Sequence, residues 1–334
     1  MRGPAMIAAI AVTACAAFQD PDIVVDIRVI AMEANLPEQL VDIPSFVDPP
    51  PLSSVVAQIQ PAQVCALVAD PTHMRSLRWS MTLCDYNEDE RCDDNGDPQE
   101  LIGSGLEPSP DYTVPEPAMC ATVQPDATFV AVIENALSND PLNGLQGLDY
   151  SVVLRVGGSD ADPSLDLYAE KLLDVAAKDP PTRTPNTNPY LSDVTVAIGD
   201  PDSETLSAPV VLPFGRCVDQ TTPFAMPAGK KARITPVEPP GVRQVYTLPT
   251  LDGSDETFVE SLTYQWTATM GDFDNGTTGG PPDLAGELPP LFTDWIAPDA
   301  SQVGSAGSDV PFWIVQRDER FGVHWYESCV HVMP

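Results

Sequence analysis

Basic side chains are scarce in this chain. Four lysines, at positions 171, 178, 230 and 231, and 16 Lys plus Arg in all, stand against 49 acidic residues, for a net charge of −33 at pH 7. Such a surface repels phosphate backbones, so nucleic acid is not an expected partner. It also repels anionic lipid, so any hold on a membrane has to come from something other than charge. Histidine is rarer still: His73, His324 and His331 are dispersed, whereas a zinc site wants three or four converging ligands. His324 and His331 are an odd number of residues apart in what reads as the last strand, which sends them to opposite faces. A G-x-S-x-G elbow is missing, and Gly157-Gly158 and Gly279-Gly280 are lone turn dipeptides, not phosphate cradles. No catalytic residue is assigned. The acidic, lysine-poor surface suits a medium of high or variable salt, where screening removes self-repulsion, and it equally suits plain solubility.

The N-terminus is the most informative segment. Met1-Arg2-Gly3 carries one positive charge, residues 4–14 carry none, and Val12-Thr13-Ala14-Cys15 closes the run with small residues. The apolar run falls well short of the roughly 20 residues a bilayer-spanning helix needs. The segment resembles a bacterial lipoprotein signal, which implies cleavage after residue 14 and lipid on Cys15. Residues 15–22 would then be a lipidated tether, with Ala16 in place of aspartate pointing, by analogy with lipoprotein sorting, to the outer membrane. Ordinary secretion is the rival reading, because Ala14-Cys15-Ala16 also fits an A-x-A cleavage site. Cysteine parity favours the anchor. Seven cysteines leave one over in an exported protein, and setting Cys15 aside leaves six, at 65, 84, 92, 120, 217 and 329. Six can form three disulfides in an oxidising compartment.

The rest of the chain is longer than one core usually serves, so two domains are expected. With 37 prolines in 334 residues, long helices are disfavoured, since an interior proline costs about 3 kcal/mol. The fold class expected is all-β: two tandem immunoglobulin-like β-sandwiches at 23–178 and 190–334, joined by a proline-rich linker at 179–189. In the first half, strands are expected at 23–34, 76–84, 119–123, 128–134, 150–156 and 165–177, with a strand pair at 55–69. Residues 76–84 alternate cleanly, with Leu77, Trp79, Met81 and Leu83 sharing one face.

In the second half, Tyr264-Gln-Trp-Thr-Ala268, Thr293-Asp-Trp-Ile-Ala-Pro298 and Val315-Gln-Arg-Asp-Glu-Arg-Phe-Gly322 resemble the recurring strand and turn signatures of bacterial immunoglobulin-like and PKD-type sandwich domains. The resemblance covers residues 262–332 and departs from the pattern in an insertion at 236–260. It implies binding, adhesion or spacing roles and identifies no ligand. A fainter immunoglobulin echo in the first half implies that Trp79 packs on an inter-sheet Cys65–Cys120 bridge. Of the 15 connectivities six cysteines allow, the pairing expected is then Cys65–Cys120, Cys84–Cys92 and Cys217–Cys329, the first and third tying strands within each domain.

One acidic segment is constrained. Asp85-x-Asn87-x-Asp89 and Asp93-x-Asn95-x-Asp97 alternate oxygen donors as calcium loops do, and a Cys84–Cys92 bridge would hold them together. Asp85, Asn87, Asp89, Asp93, Asn95 and Asp97 are therefore the candidate calcium ligands, against the plainer reading of a solvated hairpin tip. The expected function is a lipid-anchored cell-envelope module that binds, adheres or supports, with a protein or carbohydrate ligand and no catalysis. The alternative is an anchored hydrolase, directed to carbohydrate or peptide, whose carboxylates hide among the surface acids. A third route is recruitment of a partner by strand addition at an exposed edge.

Overall fold

The computed structural model describes residues 21–43, 50–86, 92, 97–115, 117–142 and 144–334. Among these the chain is built mostly of strands. The first half runs β1 (Arg28–Ala34), β2 (Glu38–Val41), the short helix α1 (Leu52–Val56), β3 (Ala62–Asp70), β4 (Leu77–Asp85), β5 (Gln99–Glu107), β6 (Tyr112–Thr113), β7 (Cys120–Val123), helix α2 (Ala127–Asn139), β8 (Leu148–Gly158) and β9 (Leu167–Ala177). The second half runs β10 (Asp193–Gly199), β11 (Val210–Val211), β12 (Phe224–Pro227), β13 (Lys231–Val237), β14 (Val245–Pro249), β15 (Asp255–Val259), β16 (Thr263–Ala268), β17 (Asp272–Phe273), β18 (Thr277–Gly279), β19 (Thr293–Ile296), β20 (Ser308–Arg317) and β21 (Val323–Met333).

Side-chain alternation decides how these strands stack. Leu77, Trp79, Met81 and Leu83 of β4 all turn into one core, as their spacing predicts. That core lies between the sheet β2-β9-β8-β4-β5 and a smaller sheet in which β1, β6 and β7 all pair with β3. A second core, holding Tyr264, Trp266 and Trp295, lies between β12-β21-β20-β16-β18 and β11-β10-β13-β19-β17. The indole N–H of Trp266 donates to Thr278 Oγ1 at 2.9 Å and that of Trp295 to the Met270 carbonyl at 3.1 Å, so neither buried ring leaves a donor unsatisfied.

β3 and β20 are apolar on both faces, and their outer faces meet. Ile30, Ala31, Leu67 and Ala69 pack on Trp313, Val315, Val323 and Trp325 in a third buried cluster between the sandwiches. Four sheets are thereby stacked. The passage from one sandwich to the other falls at the proline-rich stretch 179–189, which is not a free spacer. Arg183 and Asn186 are buried there, and Asn188 donates to the Ala34 carbonyl at 2.8 Å while accepting from Val323 N–H at 3.0 Å. At the start of the described chain Asp22 to Val24 bond to Ala268 of the second sandwich, so the end of the expected tether is held by that sheet.

Several local expectations are corrected. Residues 128–134 are not a strand but part of α2. The Asp126 carboxylate caps the helix by accepting from the N–H groups of Thr128 and Phe129 at 2.9 and 3.1 Å, and Phe129, Val132 and Ile133 carry a helical spacing into the core. The strand pair expected at 55–69 is one strand, β3, preceded by α1. The insertion at 236–260 forms its own hairpin, β14–β15, with Val245 opposite Val259. Cys65 bonds Cys120, Cys84 bonds Cys92 and Cys217 bonds Cys329. The first bridge joins neighbouring strands of one sheet instead of spanning two, and Cys65 lies against the third cluster, away from the core that holds Trp79. Cys217 sits in a 3₁₀ turn, not a strand.

Candidate binding cleft between the sandwiches

Within β9 the apolar run Leu-Leu-Asp-Val-Ala-Ala is broken by one acid, Asp174. Cross-strand register gives it acidic neighbours on both sides: Glu38 pairs with it from β2 and Asp149 from β8. Three carboxyl groups thus stand in a row across adjacent strands on the face of the sheet turned away from its core. Like charges directly opposite one another are unfavourable, so the row needs compensation.

Compensation comes from the interdomain stretch and from the β20–β21 hairpin. The buried Arg183 guanidinium donates to Glu38 Oε1 at 2.6 Å and lies 3.9 Å from Asp174 Oδ2. Arg320, at the tip of the hairpin, bonds the other Glu38 oxygen and reaches Glu260 at 3.3 Å. The Asn186 backbone N–H adds a third donor to Glu38 at 2.5 Å. The tip itself is locked: Asp318 accepts from the backbone N–H groups of Arg320 and Gly322 at 2.8 and 2.7 Å, and the Asn186 side chain donates to it at 3.1 Å. Lys171 of β9, buried, donates to the Phe321 carbonyl. Desolvation pushes the Lys171 ammonium down to about 8 and Glu260 up to about 7.

Glu38 and Glu260 therefore consume the guanidinium groups, while Asp149 and Asp174 are left poorly matched. Asp174 Oδ1 is buried without a hydrogen-bond partner among the described residues. Desolvation first, then the charges of Glu38 and Asp149, raise the Asp174 carboxyl well above the usual range, against help from Arg183 and from Leu148 N–H. Asp149 is pushed up to about 6 by desolvation and then by Asp140. Gly147 faces Asp174 at φ 139°, and a Cβ there would lie 2.2 Å from Oδ1, so only glycine fits against the carboxyl group.

These groups line an open cleft of about 380 Å³ bounded by Leu142 and Gly147 on one side and by Tyr246, Leu248 and Glu319 on the other. A second hollow of about 260 Å³ shares Asp140, Gly147 and Asp149 with it and extends it to Asp85 and Tyr86. The cleft lies between the two sandwiches, and the adjoining hollow is lined by the first sandwich alone.

Of the residues picked from sequence, Asp85 touches that hollow, with its Oδ2 accepting from Asn135 at 2.7 Å. Asp97 is half-buried just before β5. Asn87, Asp89, Asp93, Asn95 and the lipidation candidate Cys15 lie outside the described residues. Among the described residues no three His, Cys, Asp or Glu groups converge in a way that could hold a metal ion. The histidines go to separate partners, His324 to Glu33 at 3.0 Å and His331 to Asp309 at 2.7 Å, while His73 meets the Pro110 carbonyl at 3.2 Å. Sequence reasoning missed Glu38, Asp149, Asp174, Arg183 and Arg320. A lone acid inside an apolar strand and a lone arginine inside a proline-rich stretch were the available signals. No known protein-family model matches the chain, and no curated protein matches it either.

Proposed function

We propose that the protein is a lipid-anchored module of the bacterial cell envelope, of the immunoglobulin-like and PKD-type sandwich class, that binds a ligand in the groove between its sandwiches and catalyses nothing. The observation that carries the anchor is that the other six cysteines are spent on one another, which leaves none to pair with Cys15. Three bridges also favour an oxidising compartment, as export to the outer membrane would provide. The binding role is supported by a concave groove with unmatched carboxyl groups, set between two sandwiches that a buried cluster and an ion network hold together. Replacement of Cys15 with serine tests the anchor: the protein should move from the membrane to the soluble fraction, and continued sedimentation with membranes would defeat the reading.

A hydrolase remains the second reading, because Asp149 and Asp174 are cross-strand neighbours whose carboxyl groups are both raised, Asp174 by desolvation and by the charges of Glu38 and Asp149, Asp149 by desolvation and by Asp140. It predicts turnover of a carbohydrate or peptide substrate that Asp149→Asn and Asp174→Asn each abolish. Calcium at the acidic tip belongs to the same proposal as an accessory ligand, checked by whether calcium raises the melting temperature more than sodium chloride of equal ionic strength.

A further inference from the structure

Among the described residues of the first sandwich, left-handed backbone falls on two residues other than glycine, His73 at φ 54° and Tyr112 at φ 72°. The two meet. Their rings contact edge to face with centroids 4.0 Å apart. The Tyr112 backbone N–H donates to His73 Nδ1 at 3.2 Å, and the same nitrogen lies 3.2 Å from the Pro110 carbonyl oxygen. One ring nitrogen cannot serve both. Bare, it accepts from Tyr112 and opposes the carbonyl; protonated, it donates to Pro110 and keeps no lone pair for Tyr112. What it holds is the short strand β6, which pairs with the end of β3 and whose Thr113 donates to Glu327 of the second sandwich. Tyr112 also packs on the cluster between the sandwiches and lines a hollow of about 530 Å³ with Val24, Thr72, Met270 and Asp309.

We infer that His73 is a pH-sensitive latch on β6: neutral, it holds the Tyr112 N–H and with it the Thr113 contact to the second sandwich; protonated, it turns to Pro110 and releases that N–H. The inference depends neither on the anchor nor on the groove. The charged groups facing His73 are Asp70 and Arg75, the latter bonded also to Asp26, from the end of β3 and the turn after it; Asp111, between its two partners; and Asp309, bonded to His331, across the hollow. Desolvation of Asp70 is outweighed by Arg75 and Thr72, which hold it below the usual carboxylate range, while desolvation, then Asp309 and Asp111, lift the Tyr112 phenol. Asp70 and Tyr112 therefore keep their charge states from pH 5.5 to 7.5, the range in which histidine side chains change theirs.

NMR of the purified full-length protein, labelled with nitrogen-15 at histidine and tyrosine, tests it. At pH 7.5 the His73 Nδ1 shift should be that of a bare ring nitrogen. On acidification to pH 5.5 the Tyr112 amide should move with the same midpoint as the ring and, after correction for intrinsic pH dependence, exchange with solvent about fivefold faster, as loss of one ordinary hydrogen bond implies. His73→Asn is the matching variant: asparagine tolerates left-handed backbone, offers an acceptor oxygen in place of Nδ1 and does not titrate, so its Tyr112 amide should ignore pH. A proton already on Nδ1 at pH 7.5, a Tyr112 amide that does not follow the ring, or an equal response in His73→Asn, which would hand the effect to Asp309 or His331, would each overturn the inference. The ring titration needs no variant, so the test stands even where His73→Asn does not fold.

Discussion

Asp149→Asn should change how stability depends on pH, by an amount and with a sign that follow from its surroundings. Desolvation, then the nearby Asp140, lift its carboxyl to about 6, against about 3.9 for an aspartate in an unfolded chain. Between those two values the folded protein holds more protons than the unfolded one, so stability declines as pH rises from about 4 to about 6, and above that the loss is complete. A shift of about two pKa units corresponds to about 3 kcal/mol. The carboxyl is only half-buried, and screening by water reduces the expected loss to about 1–2 kcal/mol. Asparagine keeps the shape and removes the titration. It also relieves Asp174, which acts in the same direction. Urea unfolding of both proteins with disulfides intact, at pH 4, 5, 6 and 7, should show the variant gaining about 1–2 kcal/mol on the wild type from the lowest pH to the highest. Subtraction cancels Glu260 and the other titrating groups that Asp149 does not perturb, and leaves the Asp174 change adding to the difference. A difference that stays constant with pH, or one that shrinks as pH rises, would refute the reasoning.

Three further variants probe how the sandwiches are held. Arg320→Met strips Glu38 and Glu260 of a guanidinium they share and should cost about 3–5 kcal/mol in urea unfolding at pH 7; a cost below about 1 kcal/mol would mean the network is idle. Trp313→Ala empties the cluster between the sandwiches and should cost about 3–5 kcal/mol while exposing residues 179–189 to limited proteolysis, and an unchanged cleavage rate would place the coupling elsewhere. Cys217→Ala with Cys329→Ala opens a bridge spanning 112 residues and should cost about 2–5 kcal/mol by thermal unfolding, whereas an unaltered transition would remove the bridge from the stability of the second sandwich.

The sandwich class was legible because strand alternation is a local property. Trp79, Trp266 and Trp295 announce buried strand positions through their immediate neighbours. The helix at Ala127–Asn139 was less so: Thr, Val and Ile in its first two turns favour a strand locally, and the balance is tipped by the Asp126 cap and by packing of Phe129 against Tyr150. The groove was illegible for a different reason. Its acids become special only through register, since Glu38, Asp174 and Asp149 lie more than a hundred residues apart in part and meet only across three strands. Among 49 acids nothing in the spacing selects them. Arg320 could be read as part of a hairpin signature, yet its insertion beside Glu38 depends on how one sandwich seats on the other.

Cys15 offers the most direct test, because the proposed anchor would decide both where the protein works and what can reach its groove. Intact mass spectrometry of the mature protein from its native membranes, without reduction, should find a chain that begins at Cys15, carries a diacyl or triacyl modification and contains three disulfides. An unmodified N-terminus at Ala17 would mean ordinary secretion and contradict the account.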